Sequence, residues 1–208
     1  MLPLAPATFS CTGCGTCCRN HASGEPRWPL GFESLAALGL YALPTRDGLG
    51  MTSEERAVYV SHAFAHGAVP RLRPALAALD QTGERQRLVV FAWETDTREC
   101  LFIAPDERCR IYEDRPLACR AFPLRYRRGE VTASPHCGAA FAPPDGDFAR
   151  AYPGVLPHAE AARELVRATV ARVAALREAG KVTPVHGASR QWVARLLAEE
   201  AVVDVLDL

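Results

Sequence analysis

An α+β fold, mainly helical, with a small β-hairpin or sheet and an irregular cysteine-rich core, is what the 208 residues predict. Three observations carry this. Apolar residues recur at helical spacing over much of the chain. One segment, Arg87 to Trp93 (RLVVFAW), is instead β-branched and aromatic. The eight cysteines fall in two groups, inside stretches with no sustained period.

Taken in order, residues 1–29 read as loop, rich in Cys, Gly, Pro and Ser. Phe32 to Ala42 is a short apolar helix ended by Pro44. Thr52 followed by Glu55 has the pattern of a capping box, opening a helix that runs to about His66. Leu72, Leu76 and Leu79 recur at helical spacing and predict a further helix over Pro70 to Asp80. Arg87–Trp93 and Cys100–Ile103 (CLFI) then pair as a hairpin. Pro116 and Pro123 exclude one long helix over 108–128, and Gly129–Thr132 returns as a strand. Pro143-Pro144-Asp145-Gly146 is the strongest loop signal in the chain. It divides a cysteine-cluster domain, residues 1–145 with a helical insertion at about 31–83, from a helical extension, residues 146–208, packed upon it. In that extension His158–Ala179 is amphipathic through Leu165, Val166, Val173 and Leu176, with Gly180 at its end. Ser189 caps a last helix carrying Trp192, Leu196, Leu197 and Val203.

Hydrophobic residues make up 49% of the chain and charged ones 23%, with a formal net charge of zero. A chain of this size and balance buries an ordinary core and does not need cysteines merely to stay folded. Zero net charge gives no global attraction to nucleic acid or to an anionic membrane, so neither is an expected partner. No run of eighteen apolar residues occurs, and Met1–Ser10 lacks the pattern of a signal peptide. The expected compartment is therefore a reducing cytoplasm, where clustered thiols serve as metal ligands or catalytic groups rather than disulfides.

Cys11, Cys14, Cys17 and Cys18 are spaced C-x2-C-x2-C-C. Each C-x2-C turn can aim two sulfurs at one point, and Gly13 and Gly15 supply the backbone freedom. The others, Cys100, Cys109, Cys119 and Cys137, lie in one later block. Thiolate is a soft anionic ligand whose usual partners are zinc, copper(I) and iron–sulfur clusters. Three cysteines at x2 spacing suit a ferredoxin run, but Cys18 arrives too early to be its fourth ligand. An iron–sulfur cluster with a redox or electron-transfer role leads, and a structural zinc module for protein interaction is the alternative. The partner would be an unidentified protein or redox protein.

The second block reads C-x8-C-x-I-Y-x2-R-P-x2-C-R-x-F-P from Cys100 through Pro123, with Cys137 beyond it. With the opening C-x2-C-x2-C-C, it resembles the CxxCxxCC family of YkgJ-like cysteine cluster proteins over about residues 8–140. That resemblance implies a zinc- or iron-chelating domain whose eight cysteines act together. It also implies a third reading, a protein-modifying enzyme of the lysine N-methylase type, although no catalytic residue is recognisable. The chain departs from the pattern in the long spacer between Cys18 and Cys100.

Seven arginines, from Arg108 to Arg128, crowd the second block and could offset thiolate charge. Arg115 and Arg120 are the candidates to face inward, and Arg127 and Arg128 to face solvent. Tyr112 and Phe122 are expected to wall the site from water. His136 beside Cys137 is a further candidate ligand, whereas His62 and His66, at i and i+4, read as a solvated or packing pair. Gly48-Leu49-Gly50 is too short for a phosphate-binding loop.

Overall fold

The structure is a computed structural model that describes residues 8–19, 41–42, 48–83, 85–97, 99–127, 129–185, 190–199 and 201–208. The expected helix at Phe32–Ala42 and the cap at Ser189 lie outside the described residues, except that Tyr41–Ala42 is a strand, β1. The other strands are β2 (Gly50–Thr52), β3 (Leu72–Asp80), β4 (Leu88–Thr95), β5 (Leu124–Arg127), β6 (Glu130–Ala133), β7 (Val182–Thr183) and β8 (Val202–Asp204). Among the described residues the α-helices are α1 (Thr16–Arg19), α2 (Ser53–Ala65), α3 (Leu117–Ala121), α4 (Phe148–Ala151), α5 (Leu156–Glu178) and α6 (Arg190–Ala198). Among the described residues no helix is long and apolar enough to cross a membrane.

The fold is α+β, but the expectation of a mainly helical chain with a small sheet is corrected. Among the described residues a six-stranded sheet organises the fold. Its two long strands, β3 and β4, pair antiparallel along their lengths. On the outer edge of β3 lie β1 and β7, end to end, and on the outer edge of β4 lie β2 and β8. Among the described strands only β8 runs parallel to its neighbour. Strands β5 and β6 form a separate two-stranded ribbon.

The largest correction is at 70–80, where a strand replaces the expected helix. Pro74 to Ala78 are all buried. A strand covered on both faces shows no polar alternation, so its leucines can mimic helical spacing. Tertiary pairing then overrides the helix preference of Ala75, Ala77 and Ala78. The register slips between Pro74 and Ala77, where proline cannot donate to the ladder. That irregularity has a consequence on β4. Val89 and Phe91 face one core while Val90 faces another, but Ala92 joins Phe91's side and Trp93 turns to Val90's. A bulge shifts which face a residue presents.

The segment Cys100–Ile103 is a tight turn with one bridge, Ile103 to Cys109, and not the second strand of a hairpin. Val203 is in β8 rather than in the last helix. The Thr52–Glu55 capping box is present as read, with α2 ending at Ala65. Helix α5 also matches, burying Val173 against the sheet and Ala159 and Ala162 in a second core with Leu117, Ala121, Leu124 and Tyr152. Residues 146–208 therefore give the sheet two strands as well as their helices. Gly48 is required by space, because a Cβ there would stand 2.4 Å from the Thr95 carbonyl oxygen.

Candidate metal centre

Each cysteine group is held by contacts that can be traced to the chain. Phe9 begins the first. Its N–H donates to the Ala151 carbonyl at 2.8 Å, and its ring stacks on Tyr152 at 5.0 Å. The loop then passes Cys11 and Cys14, both exposed. Gly13 and Gly15 adopt φ of 66° and 64°, so both C-x2-C turns use the left-handed conformation that glycine tolerates. Residues 16–19 close as the short helix α1, not as loop, with the Cys18 N–H donating to the Gly15 carbonyl at 2.8 Å. Arg19 pairs with Glu107 at 2.7 Å, and the Cys100 N–H donates to the Cys18 carbonyl at 2.8 Å. The first group is thereby laid against the second.

Cys100 and Cys109 flank a turn closed by two bonds: the Ala104 N–H donates to the Arg108 carbonyl at 2.8 Å, and the Arg110 N–H donates to the Phe102 carbonyl at 2.9 Å. Cys119 rides on α3, whose start is fixed from a distance. One carboxylate oxygen of Glu55 accepts from the Thr52 N–H at 3.0 Å and completes the capping box of α2. The other accepts from the Leu117 N–H at 2.5 Å, satisfying an N-terminal donor of α3. Cys137 follows β6, and four residues later Phe141 is clamped by Tyr152. The Tyr152 hydroxyl donates to the Phe141 carbonyl at 2.6 Å and accepts from its N–H at 2.8 Å.

All eight cysteines line one cavity of about 410 Å³. No disulfide joins any of them. A water takes about 30 Å³ of liquid, so this space is far larger than a single small ion requires. The donor set, eight soft thiols, fits zinc or iron in chemical type. As placed, among the described residues, no three His, Cys, Asp or Glu side chains converge on one ion. The sulfurs of Cys17 and Cys18 lie 3.9 Å apart.

The thiols are not equivalent. Cys14 is held below the usual thiol range, chiefly by hydrogen bonding with the Thr16 side chain 3.4 Å away. Cys18 is pushed from 9.0 up to about 11, first by its hydrogen bond with the Cys100 side chain. Burial pushes Cys109 and Cys137 up as well. A thiol whose folded value is raised stabilises the fold below its unfolded value and ceases to do so as pH climbs through the folded one. The metal-free, reduced protein should therefore lose stability between pH 9 and 11, with a Cys18 share of about 1 kcal/mol after solvent screening. Thermal unfolding against pH checks this, and an unchanged slope in Cys18→Ala would contradict it.

Other candidates are sorted by the same geometry. Arg115 lines the cavity, its guanidinium 3.6 Å from the Tyr112 ring centre and its Nε donating to the Tyr112 carbonyl at 2.6 Å. Arg120 is not among the lining residues. It lies toward His158 of α5, whose pKa is lowered by burial and then by Arg120 and Arg115. A short helix that presents Cys119 to the cavity turns the next residue away. Phe122 lines the cavity, as does Tyr112, although Tyr112 is 48% exposed and shields only in part. His136 also lines it, with its backbone N–H donating to Ser134 Oγ at 3.3 Å. His62 and His66 pack edge-on against Phe102 outside the lining, and His62 pairs with Asp114 at 3.1 Å. Arg128 and the side chain of Arg127 lie outside the described residues.

Sequence reasoning did not find Phe9, Tyr59, Glu107 or Tyr152. Their contributions depend on which distant segment they meet, and no spacing encodes that. Phe9, two residues before Cys11, was the most accessible signal.

No curated protein and no solved structure matches the chain. A family match does occur, and it takes in Cys100, Cys109, Cys119 and Cys137 while stopping short of Cys11, Cys14, Cys17 and Cys18. It is narrower than the 8–140 span of the motif resemblance. Through this second block the similarity is local: residues 60–138 match the CxxCxxCC family model, described as a "putative zinc- or iron-chelating domain".

Proposed function

We propose that the protein is a thiolate metal carrier whose ligands are drawn from Cys11, Cys14, Cys17, Cys18, Cys100, Cys109, Cys119 and Cys137. The observation that carries this is the meeting of all eight, from segments over eighty residues apart, around one cavity. Core packing alone would not gather every cysteine of a chain in one place. The metal would supply a fixed positive charge that holds the two segments together and, if iron, a site for one electron at a time.

The iron–sulfur reading is favoured by the size of the cavity and by vicinal Cys17 and Cys18, which suit a centre larger than one ion. The exposed side at Cys11 and Cys14 would face a redox partner protein. Eight thiols without a disulfide suit a reducing compartment. The zinc reading keeps one specific support, since eight thiolates equal two closed four-sulfur sites. In either case bound thiols must give up protons, so affinity rises with pH.

Protein purified without oxygen, with iron, zinc and labile sulfide quantified, separates these readings. Brown protein with iron and sulfide in stoichiometric amounts is the expected result. Colourless protein with stoichiometric zinc, and no iron even after anaerobic reconstitution, selects the zinc module. Protein that takes up neither metal refutes the carrier altogether.

A further inference from the structure

The eight cysteines divide by packing. Cys100 is part of a hydrophobic core with Tyr59, Phe102, Ile111 and Val90, and Cys18, Cys109 and Cys119 pack against that same core. Cys11, Cys14, Cys17 and Cys137 are not among its members. One set of four is thus inner and the other outer, meeting at Cys17 and Cys18, whose sulfurs are 3.9 Å apart.

The inner set has an unusual neighbour. Tyr59 is 1% exposed, stands edge-on to Phe102 at 4.9 Å, and lines the cysteine cavity. Its hydroxyl is buried with no hydrogen-bond partner among the described residues. A buried hydroxyl left unsatisfied costs stability, and phenylalanine would fill the same space without that cost. A phenol keeps its proton at neutral pH, so the Tyr59 hydroxyl is available as an O–H donor. A donor lacking an acceptor, beside thiols that become acceptors on losing their protons, has an evident use.

We propose that Tyr59 is a positioning residue, its O–H donating to a thiolate of the inner set Cys18, Cys100, Cys109 and Cys119 when that set is loaded with metal. The proposal rests on the thiolate-carrier reading. It lies beyond what the family match covers, because Tyr59 precedes residue 60. A hydrogen bond to a ligating sulfur delocalises its charge and fixes its orientation, and losing such a bond costs about 10–100-fold in metal affinity.

The test is zinc titration, by chelator competition, of wild type, Tyr59→Phe, Cys14→Ser and the double variant, with thermal unfolding of each metal-free form. Tyr59→Phe should weaken zinc binding by about 10–100-fold while its metal-free form is as stable as wild type or more so. The same factor should persist in the Cys14→Ser background, where the outer set is impaired. A purely structural tyrosine would instead lower metal-free stability. Unchanged zinc affinity in Tyr59→Phe, with wild type binding normally, overturns the role of Tyr59 alone. Wild-type protein that binds no zinc overturns the carrier and this inference together.

Discussion

Protein stripped of metal, with removal verified, should be cut by trypsin at Arg19, Arg108 and Arg110 at least about tenfold faster than the loaded form, while the β3–β4 sheet stays protected. The first cysteine group is held by few contacts. Helix α1 buries no residue, and it meets the second group through the Arg19–Glu107 ion pair, the backbone bond from Cys100 to Cys18 and the Cys18 side chain beside Cys100. An exposed ion pair such as Arg19–Glu107 contributes about 0–1 kcal/mol. Metal shared between the groups closes a loop of over eighty residues, and binding to a site that does not otherwise persist becomes folding free energy. The sheet does not depend on this. Leu76, Val89 and Phe91 are buried in a core that includes no cysteine. Circular dichroism should therefore change little while proteolysis changes greatly. Identical digestion patterns with and without metal would refute the coupling.

Tyr152→Ala should destabilise the protein by about 3–5 kcal/mol and weaken metal binding as well. Tyr152 is fully buried, and its ring lies 5.0 Å from Phe9, 5.4 Å from Phe141 and 5.9 Å from Phe148. Its hydroxyl makes both bonds that fix the Phe141 backbone. Phe9 precedes Cys11 and Phe141 follows Cys137, so one side chain from the C-terminal third holds a cysteine of each group in place. The control is Leu76→Ala, which removes a comparable buried side chain from the sheet core, far from the thiols in packing. Unfolding midpoints should fall for both, but chelator competition should show weaker metal binding for Tyr152→Ala alone. Equal metal affinities in the two variants would reduce Tyr152 to a packing residue.

Local signals were read well wherever a side chain answers to its own neighbours. The Thr52–Glu55 box forms within four residues, and α5 follows its apolar stripe. The strand at Arg87–Trp93 was legible because β-branched and aromatic residues dominate it. At Pro70–Asp80 the reading failed because burial on both faces removes alternation, leaving leucines and alanines whose intrinsic preference is helical. The same blindness hid β7 and β8, whose few residues become strands only by lying beside β3 and β4.

The sequence by itself determined the chemistry. Eight cysteines in two groups, with glycines at both C-x2-C turns, specify soft anionic donors whatever the fold around them. Only the tertiary structure decided their arrangement: that all eight border one cavity, that four of them belong to the Tyr59 core, and that Glu55 and Tyr152 hold the segments in place. The reason is physical. A donor's character is carried by its own atoms, whereas its position is set by buried contacts between residues far apart in the chain, and these leave no local period to read.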